Sequence, residues 1–341
     1  MSVRKLSASA LKDWVAALVA RQPVYAPQAK QDRFDYDLLK RAEDLRLDYD
    51  VTILPPKRFL QPPRETILQF RKGSFEPVVE AEPFVLFGVH PYDVVAIGQM
   101  DRVFSSDNPD VHYMARRQKA TIVASDVQRP SPDVFAGCMG TATVSEGFDV
   151  LLTLVNDDYI VDARTEKGEA LLKLARGLQE ADAVSLGRRE QIWKDATRFL
   201  RRHDLRCRPQ ELPDLLDGAW EHPVWKKRAE RCYSCGSCVL VCPTCFCFDV
   251  RDEVEYDLES GRRVRVWDSC QLPDFAVVAG NHNFRKQRHE RYRHRYYRKA
   301  KYLWDRYHFI ACVGCGRCAS ACTTKIANPV EVFNTLLEDR P

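Results

Sequence analysis

Three segments before residue 215 carry apolar residues at steps of three and four positions, which is the spacing of one face of a helix. The pattern predicts helices at 8–20, 166–178 and 187–202. The first of these follows a short polar start and has the pattern of an amphipathic helix of a soluble domain.

Short apolar runs alternate with these segments and predict strands. The runs are 84–89, 121–124, and a hairpin of 150–155 with 159–161 that turns at the short polar residues 156–158. The run at 84–89 continues into a helical pattern in GVHPYDVVAIGQMDRVF, while the proline-containing segment 53–64 predicts a loop. Helices and strands in alternation are typical of a mixed α/β (α+β) domain.

The cysteines divide the chain into two unequal parts. Of the 13 cysteines, only Cys138 and Cys207 precede residue 232. A segment with two tryptophans and two prolines, around 213–227, separates the parts and suggests a linker packed against its neighbours. We therefore predict an α/β domain at 1–215 and a second domain at 216–341.

Charge and hydropathy exclude some classes of function. The 52 basic and 48 acidic residues leave a net charge of +4, which does not by itself indicate a nucleic-acid partner. No run approaches the roughly 18 apolar residues of a membrane span, and the N-terminal residues lack the apolar core of a signal peptide. These features predict a cytoplasmic protein, in which clustered cysteines favour metal or redox chemistry over disulfides.

The strongest motif is RCYSCGSCVLVCP, which has the C-x2-C-x2-C-x3-C-P spacing of bacterial ferredoxins. The run ACVGCGRCASAC repeats the cysteine spacing about 70 residues later, although Thr323 stands where the first run has a proline. Two runs of this kind predict a ferredoxin-like, helix-rich domain that binds two [4Fe-4S] clusters.

In two-cluster ferredoxins the fourth cysteine of each run ligates the other cluster. We therefore expect crossed ligation. The first cluster takes Cys232, Cys235, Cys238 and Cys322, and the second takes Cys312, Cys315, Cys318 and Cys242.

A zinc ribbon is the alternative for these cysteines, because it also uses paired C-x2-C units. The third and fourth cysteines of each run exceed what zinc needs, and glycines between the ligands suit a backbone that wraps a cluster. These glycines are Gly236, Gly314 and Gly316.

Further cysteines stand close to the two runs or in the motif FAGCMGT, namely Cys245, Cys247, Cys270 and Cys138. They could ligate a third centre or form a redox-active thiol pair. They could equally be buried thiols that pack around the clusters.

The region between the two runs, 248–311, is a basic insertion. Its segment 284–307, FRKQRHERYRHRYYRKAKYLWDRY, interleaves arginines with tyrosines. Helices that bind nucleic acid have this composition, and so do solvent-exposed helix faces. Because it stands between the two predicted ligand loops, we favour a role in the shell of the clusters or in docking an acidic partner.

Several motifs together resemble a known family: CPTCFCFDV, WDSCQLPDFAVVAGNHNFR, CVGCGRC, GVHPYDVVAI, DRVF and GFDVLLT. They are similar to the 4Fe-4S dicluster β subunits of cytoplasmic NiFe sulfhydrogenases and to the corresponding chain of anaerobic sulfite reductase. The family pattern tends to have cysteine where this chain has Tyr92 and close to Ala136.

The resemblance implies a non-catalytic subunit of a heteromeric oxidoreductase. Such a subunit relays electrons between a flavin diaphorase subunit, which uses NAD(P)H, and a catalytic module. The catalytic partner would be the small and large subunits of a NiFe hydrogenase, or else a siroheme sulfite reductase subunit. Two other functions stay open: a stand-alone sulfur or polysulfide reductase that uses Cys245, Cys247 or Cys270, and a zinc-containing nucleic-acid binder.

Overall fold

The strands form an eight-stranded sheet, a four-stranded sheet and a two-stranded ribbon in a computed structural model that describes residues 3–339. The strands are β1 Arg4–Ser7, β2 Val24–Lys30, β3 Arg33–Leu38, β4 Arg64–Arg71, β5 Ser74–Pro77, β6 Phe84–Val89, β7 Ala120–Ser125, β8 Val150–Val155, β9 Asp158–Ala163, β10 Gln179–Glu180, β11 Phe248–Val254, β12 Ser260–Trp267, β13 Val277–Val278 and β14 His282–Asn283.

The α-helices range from single turns to a helix of 17 residues. They are α1 Ala8–Val19, α2 Pro91–Phe104, α3 Val111–Lys119, α4 Ala136–Met139, α5 Glu166–Leu172, α6 Ala183–Phe199, α7 Leu212–Asp217, α8 Val224–Ala229, α9 Ser237–Leu240, α10 Arg288–Tyr297, α11 Leu303–Tyr307, α12 Arg317–Ser320 and α13 Pro329–Glu338. None of the helices within residues 3–339 has the length and apolar character needed to cross a bilayer.

The large sheet has the order β10-β1-β9-β8-β7-β6-β2-β3. Its central strands β2, β6, β7 and β8 run parallel, and antiparallel strands flank them on both sides. All six residues of β6 are buried, because helices cover both faces of a parallel sheet and leave no solvated side. This arrangement confirms the predicted α/β class.

Alternate residues of β6 reach two separate apolar layers, as the two-residue period of a strand requires. Val85 and Phe87 join the layer that contains α1, whereas Phe84 and Leu86 join the layer that contains α2. The predicted strand at 84–89 and its continuation into a helix are both confirmed.

The predicted helices are present but their ends differ. The helix at 166–178 stops at Leu172, and the chain then turns through a left-handed backbone at Gly177 into β10. The helix at 187–202 begins earlier, at Ala183, because the Asp182 carboxylate accepts a hydrogen bond from Ser185 N (2.8 Å) and caps it. The sequence pattern did not indicate β1 to β5 or β10 to β14.

The four-stranded sheet has the order β11-β12-β4-β5. Two of its strands come from 64–77 and two from 248–267, so it joins segments on both sides of the predicted boundary. The buried carboxylate of Glu65 pairs with Arg265 across this junction and with Arg116 on its own side of it. The predicted loop at 53–64 contains a 3₁₀ turn at Pro56–Phe59 and ends where β4 begins. The boundary near 215 stays a prediction.

The basic segment predicted as a helix at 284–307 begins at Arg288 and is continuous through a π-helical stretch, Arg298–Tyr302, into α11. Tyr292, Tyr296 and Tyr297 point into the apolar core of the C-terminal part, together with Trp225 of α8. One face of the segment is therefore buried.

Candidate iron-sulfur site

The two cysteine runs fold into the same local structure. In each run a loop with left-handed backbone leads into a single helical turn, which is α9 in the first run and α12 in the second. Gly236 (φ 79°) and Gly316 (φ 80°) occupy equivalent positions at the start of these turns. The repeat seen in the sequence is thus a repeat of backbone conformation.

The eight cysteines of the two runs lie around two cavities. Cys232, Cys235, Cys238 and Cys322 line one cavity, and Cys242, Cys312, Cys315 and Cys318 line another. The structure therefore brings together the same two sets of four that the crossed assignment predicts. We refer to them as the first and the second thiol site.

The two thiol sites differ in depth. All four cysteines of the second site are buried. In the first site Cys235 is exposed, and the neighbouring Tyr233 side chain is 72% exposed. The first site therefore lies at the surface and the second inside the protein.

Each thiol set consists of four cysteines that line one cavity. Among residues 3–339 no group of three or more His, Cys, Asp or Glu side chains is arranged around one metal-ion position. All 13 cysteines belong to the described part, and each is a free thiol. Four thiol ligands around one cavity suit a cubane, whose corners are separate iron atoms.

Three cations of the basic segment follow one another at four-residue steps along the thiol sites. Arg291 donates to Ser234 Oγ in the first cysteine loop (3.0 Å), and Lys299 Nζ donates to Cys242 Sγ of the second site (3.0 Å). Arg295 stands between them and interacts with the charges of Cys238 and Cys318, one from each site. This face of the segment forms part of the shell of both thiol sites.

The Arg295 guanidinium has no hydrogen-bond acceptor within the described residues. Its side chain is buried, yet Nε, Nη1 and Nη2 all lack a partner. A buried cation without acceptors is costly. It therefore indicates an anionic, acceptor-rich group in the adjoining cavities, and the inorganic sulfides of iron-sulfur clusters have that character.

Lys299 is the corresponding cation of the second site. Its buried Nζ donates to Thr244 Oγ1 (3.3 Å) and Ala311 O (3.0 Å) in addition to Cys242 Sγ. Burial opposes the charge, but the neighbouring thiolates, Cys242 foremost, raise the pKa of Lys299 above its ordinary range. The side chain therefore stays protonated beside the second site.

A buried ion pair ties the second cysteine loop to the α/β part. Arg317, which follows Gly316 in the loop, makes two hydrogen bonds to the Asp93 carboxylate of α2, at 2.7 and 2.6 Å. Arg317 Nε also donates to Thr52 O (3.0 Å). Both charged groups are almost fully buried. The pair can therefore hold the second cysteine loop in place only when both side chains are present.

Replacing Asp93 with alanine should lower the free energy of unfolding by about 3–5 kcal/mol, because the Arg317 guanidinium would be left buried without a counter-charge. Urea denaturation followed by circular dichroism would measure the change. Asp195→Ala removes an exposed carboxylate from α6 and is the matched control, for which we expect less than about 0.5 kcal/mol. Equal effects of the two substitutions would contradict a structural role for the buried pair.

The segment 133–141 backs the second cysteine loop at close range. Phe135 N donates to Gly314 O (2.8 Å) and Thr141 Oγ1 donates to Val313 O (2.7 Å). A Cβ on Gly314 would stand 2.6 Å from Ala136 N, so the approach requires glycine. Tyr92 and Ala136, where the resembling family tends to have cysteines, pack in one apolar cluster with Cys315.

The remaining thiols do not gather at one place. Cys245 forms a hydrogen bond with Cys242 of the second site, and Cys247 forms one with Cys270. Cys138 lies apart on α4, where its thiol donates to His203 O (3.3 Å). Cys207 is half-buried, and burial raises its pKa to about 11.

Sequence reasoning did not single out Arg295 and Lys299 within the basic segment, and it missed Asp93, Arg317 and the buried Lys57, which contacts Cys245 O. A signal was present for two of them. Positions 292, 296, 300 and 303 form an apolar stripe, and positions 295 and 299 adjoin it on the same face of the helix. Asp93 and Lys57 carry no comparable signal.

Comparison with known proteins gives two matches. Residues 231–326 match the family model described as a 4Fe-4S dicluster domain. Over 321 residues the chain is 36% identical to sulfhydrogenase 2 subunit beta of Pyrococcus furiosus, and the match covers 92% of each chain. No solved structure is significantly similar to it. The similarity extends along nearly the whole chain and includes both thiol sites, and the protein therefore belongs to the sulfhydrogenase β subunit family, as an iron-sulfur electron-transfer protein.

Proposed function

We propose that the chain carries two [4Fe-4S] clusters and relays electrons inside a hydrogenase complex. On one side we place a flavin diaphorase subunit that oxidises or reduces NAD(P)H. On the other side we place the small and large subunits of a NiFe hydrogenase. The complex would work in the cytoplasm.

The proposed ligands are the two sets of four thiols. Cys232, Cys235, Cys238 and Cys322 would hold the first cluster, and Cys312, Cys315, Cys318 and Cys242 the second. When bound, a [4Fe-4S] cluster supplies a one-electron couple whose potential depends on nearby charge, hydrogen bonds and solvent. Arg295 and Lys299 supply the positive charge at this place.

The observation that carries the proposal is that the two thiol sites are neighbours. Each site takes one cysteine from the other run, and a single buried guanidinium, Arg295, interacts with both. Electron carriers that adjoin in this way form a path through the protein, whereas two isolated structural metal sites would not need a shared cation.

Because the two thiol sites differ in depth, the proposed electron path has one end at the protein surface. Exposed Cys235 and Tyr233 bring the first site to the surface, and the basic side chains of Arg231 and Arg288 lie exposed beside it. A partner with an acidic docking surface would be attracted there. We propose that one of the two partner subunits docks on this surface, with either direction of electron flow.

The test uses the assembled complex with Cys318→Ala in this chain. We expect the variant complex to keep hydrogenase activity with a reduced dye and diaphorase activity between NAD(P)H and a dye. Its rate of NAD(P)H-dependent hydrogen production should fall at least ~10-fold, because only that reaction needs the relay. Cys207→Ser in the same complex is the matched control. Unchanged coupled activity in a variant that has lost iron would contradict the relay.

Subunits that co-purify with the chain distinguish the two complexes to which the family resemblance points. A NiFe large subunit would support the proposal, and a siroheme protein would replace it by a sulfite reductase. The isolated chain should show no turnover with a reduced dye and polysulfide, since catalysis belongs to a partner. Turnover by the chain alone would favour the stand-alone reductase.

A further inference from the structure

Two thiols outside the proposed ligand sets lie against each other at the ends of paired strands. Cys247 precedes β11 and Cys270 follows β12, and the pairing of these strands continues into a hydrogen bond from Asp268 N to Cys247 O (3.0 Å). Both the side chain and the backbone N–H of Cys270 form hydrogen bonds with the Cys247 sulfur. The strand register thus places the two thiols side by side at the ends of the paired strands.

The two thiols have different environments. Cys270 is only 3% exposed, and Gln271 Nε2 lies 3.7 Å from its sulfur. Cys247 is half-buried, with the cations Arg298 and Lys57 nearby. The hydrogen bonds from Cys270, together with these cations, lower the pKa of Cys247 to about 6, whereas the pKa of Cys270 is raised. One sulfur is therefore a reachable thiolate and the other a protected thiol, which suits thiol–disulfide chemistry.

The pair lies beside both thiol sites. Ser269, next to Cys270, packs against Gly236 of the first cysteine loop at 3.0 Å from a Cβ built there. On the other side, Cys245 is two positions from Cys247 and contacts Cys242 of the second site. A redox group at this position would adjoin both carriers.

We propose that Cys247 and Cys270 form a redox-active dithiol/disulfide pair, an inference that rests on the proposed electron-transfer function. Oxidation joins the Cys247 thiolate and the Cys270 thiol by one S–S bond, breaks the S–H bond of Cys270, and releases one proton to solvent and two electrons. The electrons are taken by two one-electron acceptors of the iron-sulfur class. Reduction by two electrons and one proton restores the thiolate and the thiol.

This chemistry would give the relay a two-electron store. Nicotinamides exchange electrons in pairs, whereas iron-sulfur clusters accept them singly. A dithiol beside two one-electron carriers lets the protein hold a full pair while the carriers themselves stay available.

The test is an anaerobic coulometric titration of the full-length chain with its clusters in place, combined with mass spectrometry after differential alkylation of thiols. We expect the oxidised chain to contain a Cys247–Cys270 disulfide that is absent from the reduced chain. We also expect Cys247→Ser and Cys270→Ser to take up two electrons fewer than the unmodified chain. Cys207→Ser, which removes a half-buried thiol elsewhere, should titrate like the unmodified chain.

Three results would contradict the proposal of a redox-active pair. The first is full alkylation of both thiols in the oxidised, unmodified chain, which needs no variant to fold. The second is an unchanged electron uptake in both serine variants. The third is a loss of bound metal in these variants, because it would make the thiols ligands of another centre. Failure of the electron-transfer proposal looks different: the unmodified chain would lack iron and would show no cluster signals in electron paramagnetic resonance.

Discussion

Replacing Arg295 with leucine should lower the midpoint potentials of both clusters, by on the order of 100 mV each. The reduced form of a cluster carries one more negative charge than the oxidised form, so a nearby buried cation stabilises the reduced form more. One unit charge about 6 Å away, at an effective dielectric constant of about 20, contributes roughly 3 kcal/mol. Redox titration followed by electron paramagnetic resonance would give both potentials in one sample.

Two further variants serve as controls for this experiment. Arg295→Lys keeps the charge, so we expect potentials closer to those of the unmodified chain even if the geometry changes. Arg293→Leu removes the same side chain from the same helix, but on the face that packs over Trp220 (3.7 Å from guanidinium carbon to ring centre). A shift confined to one cluster, or equal shifts in Arg293→Leu and Arg295→Leu, would contradict the position of Arg295 between the clusters.

Replacing Cys242 with alanine should remove the second cluster while the first is retained, although Cys242 belongs to the first cysteine run. Cys322→Ala should do the reverse. Each substitution removes one of four thiol ligands, so we expect about four of about eight irons to be lost, with matching sulfide. Iron and sulfide analysis, with electron paramagnetic resonance of the remaining cluster, would measure this.

The assignment of the remaining signal decides between crossed and local ligation. Cys315→Ala and Cys235→Ala provide reference spectra, because each removes a ligand that belongs to the same cluster under either scheme. Under crossed ligation the Cys242→Ala spectrum should match that of Cys315→Ala. A match with Cys235→Ala would show that each run ligates its own cluster.

The sequence determined the parts of this protein whose chemistry depends on local spacing. Cysteines at fixed steps, with glycines where the loop needs a left-handed backbone, indicate a cluster loop wherever the chain carries them. The buried run Phe84–Val89 and the helix that begins at Ala8 were likewise predicted at their observed positions. Residues that lie close in sequence are constrained by the backbone alone, and such features can be identified without the fold.

The ends of the helices were harder to predict, because the apolar pattern and the hydrogen bonds at a helix end can point to different end residues. The 166–178 pattern stays apolar beyond Leu172, and Leu174 and Leu178 still pack on the core, but from a turn and not from a helix. At 183–199 the capping carboxylate of Asp182 decides the start, although the apolar period begins later. Periodicity shows which residues are buried, and hydrogen bonds at the ends show where the helix stops.

The basic segment shows what the sequence left undecided. Its arginines and lysines were compatible with a solvated face, a nucleic-acid helix or a cluster shell, because each of these uses the same residues. Burial of Tyr292 and Tyr296 against Trp225 turns Arg295 and Lys299 toward the cysteines. The sequence shows that the segment is positively charged, whereas the packing of the helix determines which groups its cations face.

The eight thiols, their two equal spacings and the expectation of crossed sets come from the sequence alone, because a ligand loop is built from consecutive residues. Only the tertiary structure placed Asp93 under Arg317, Arg295 between the two thiol sites, and Cys247 against Cys270. The residues of each contact come from different elements of the chain, and nothing in a linear pattern fixes which surfaces meet when those elements pack.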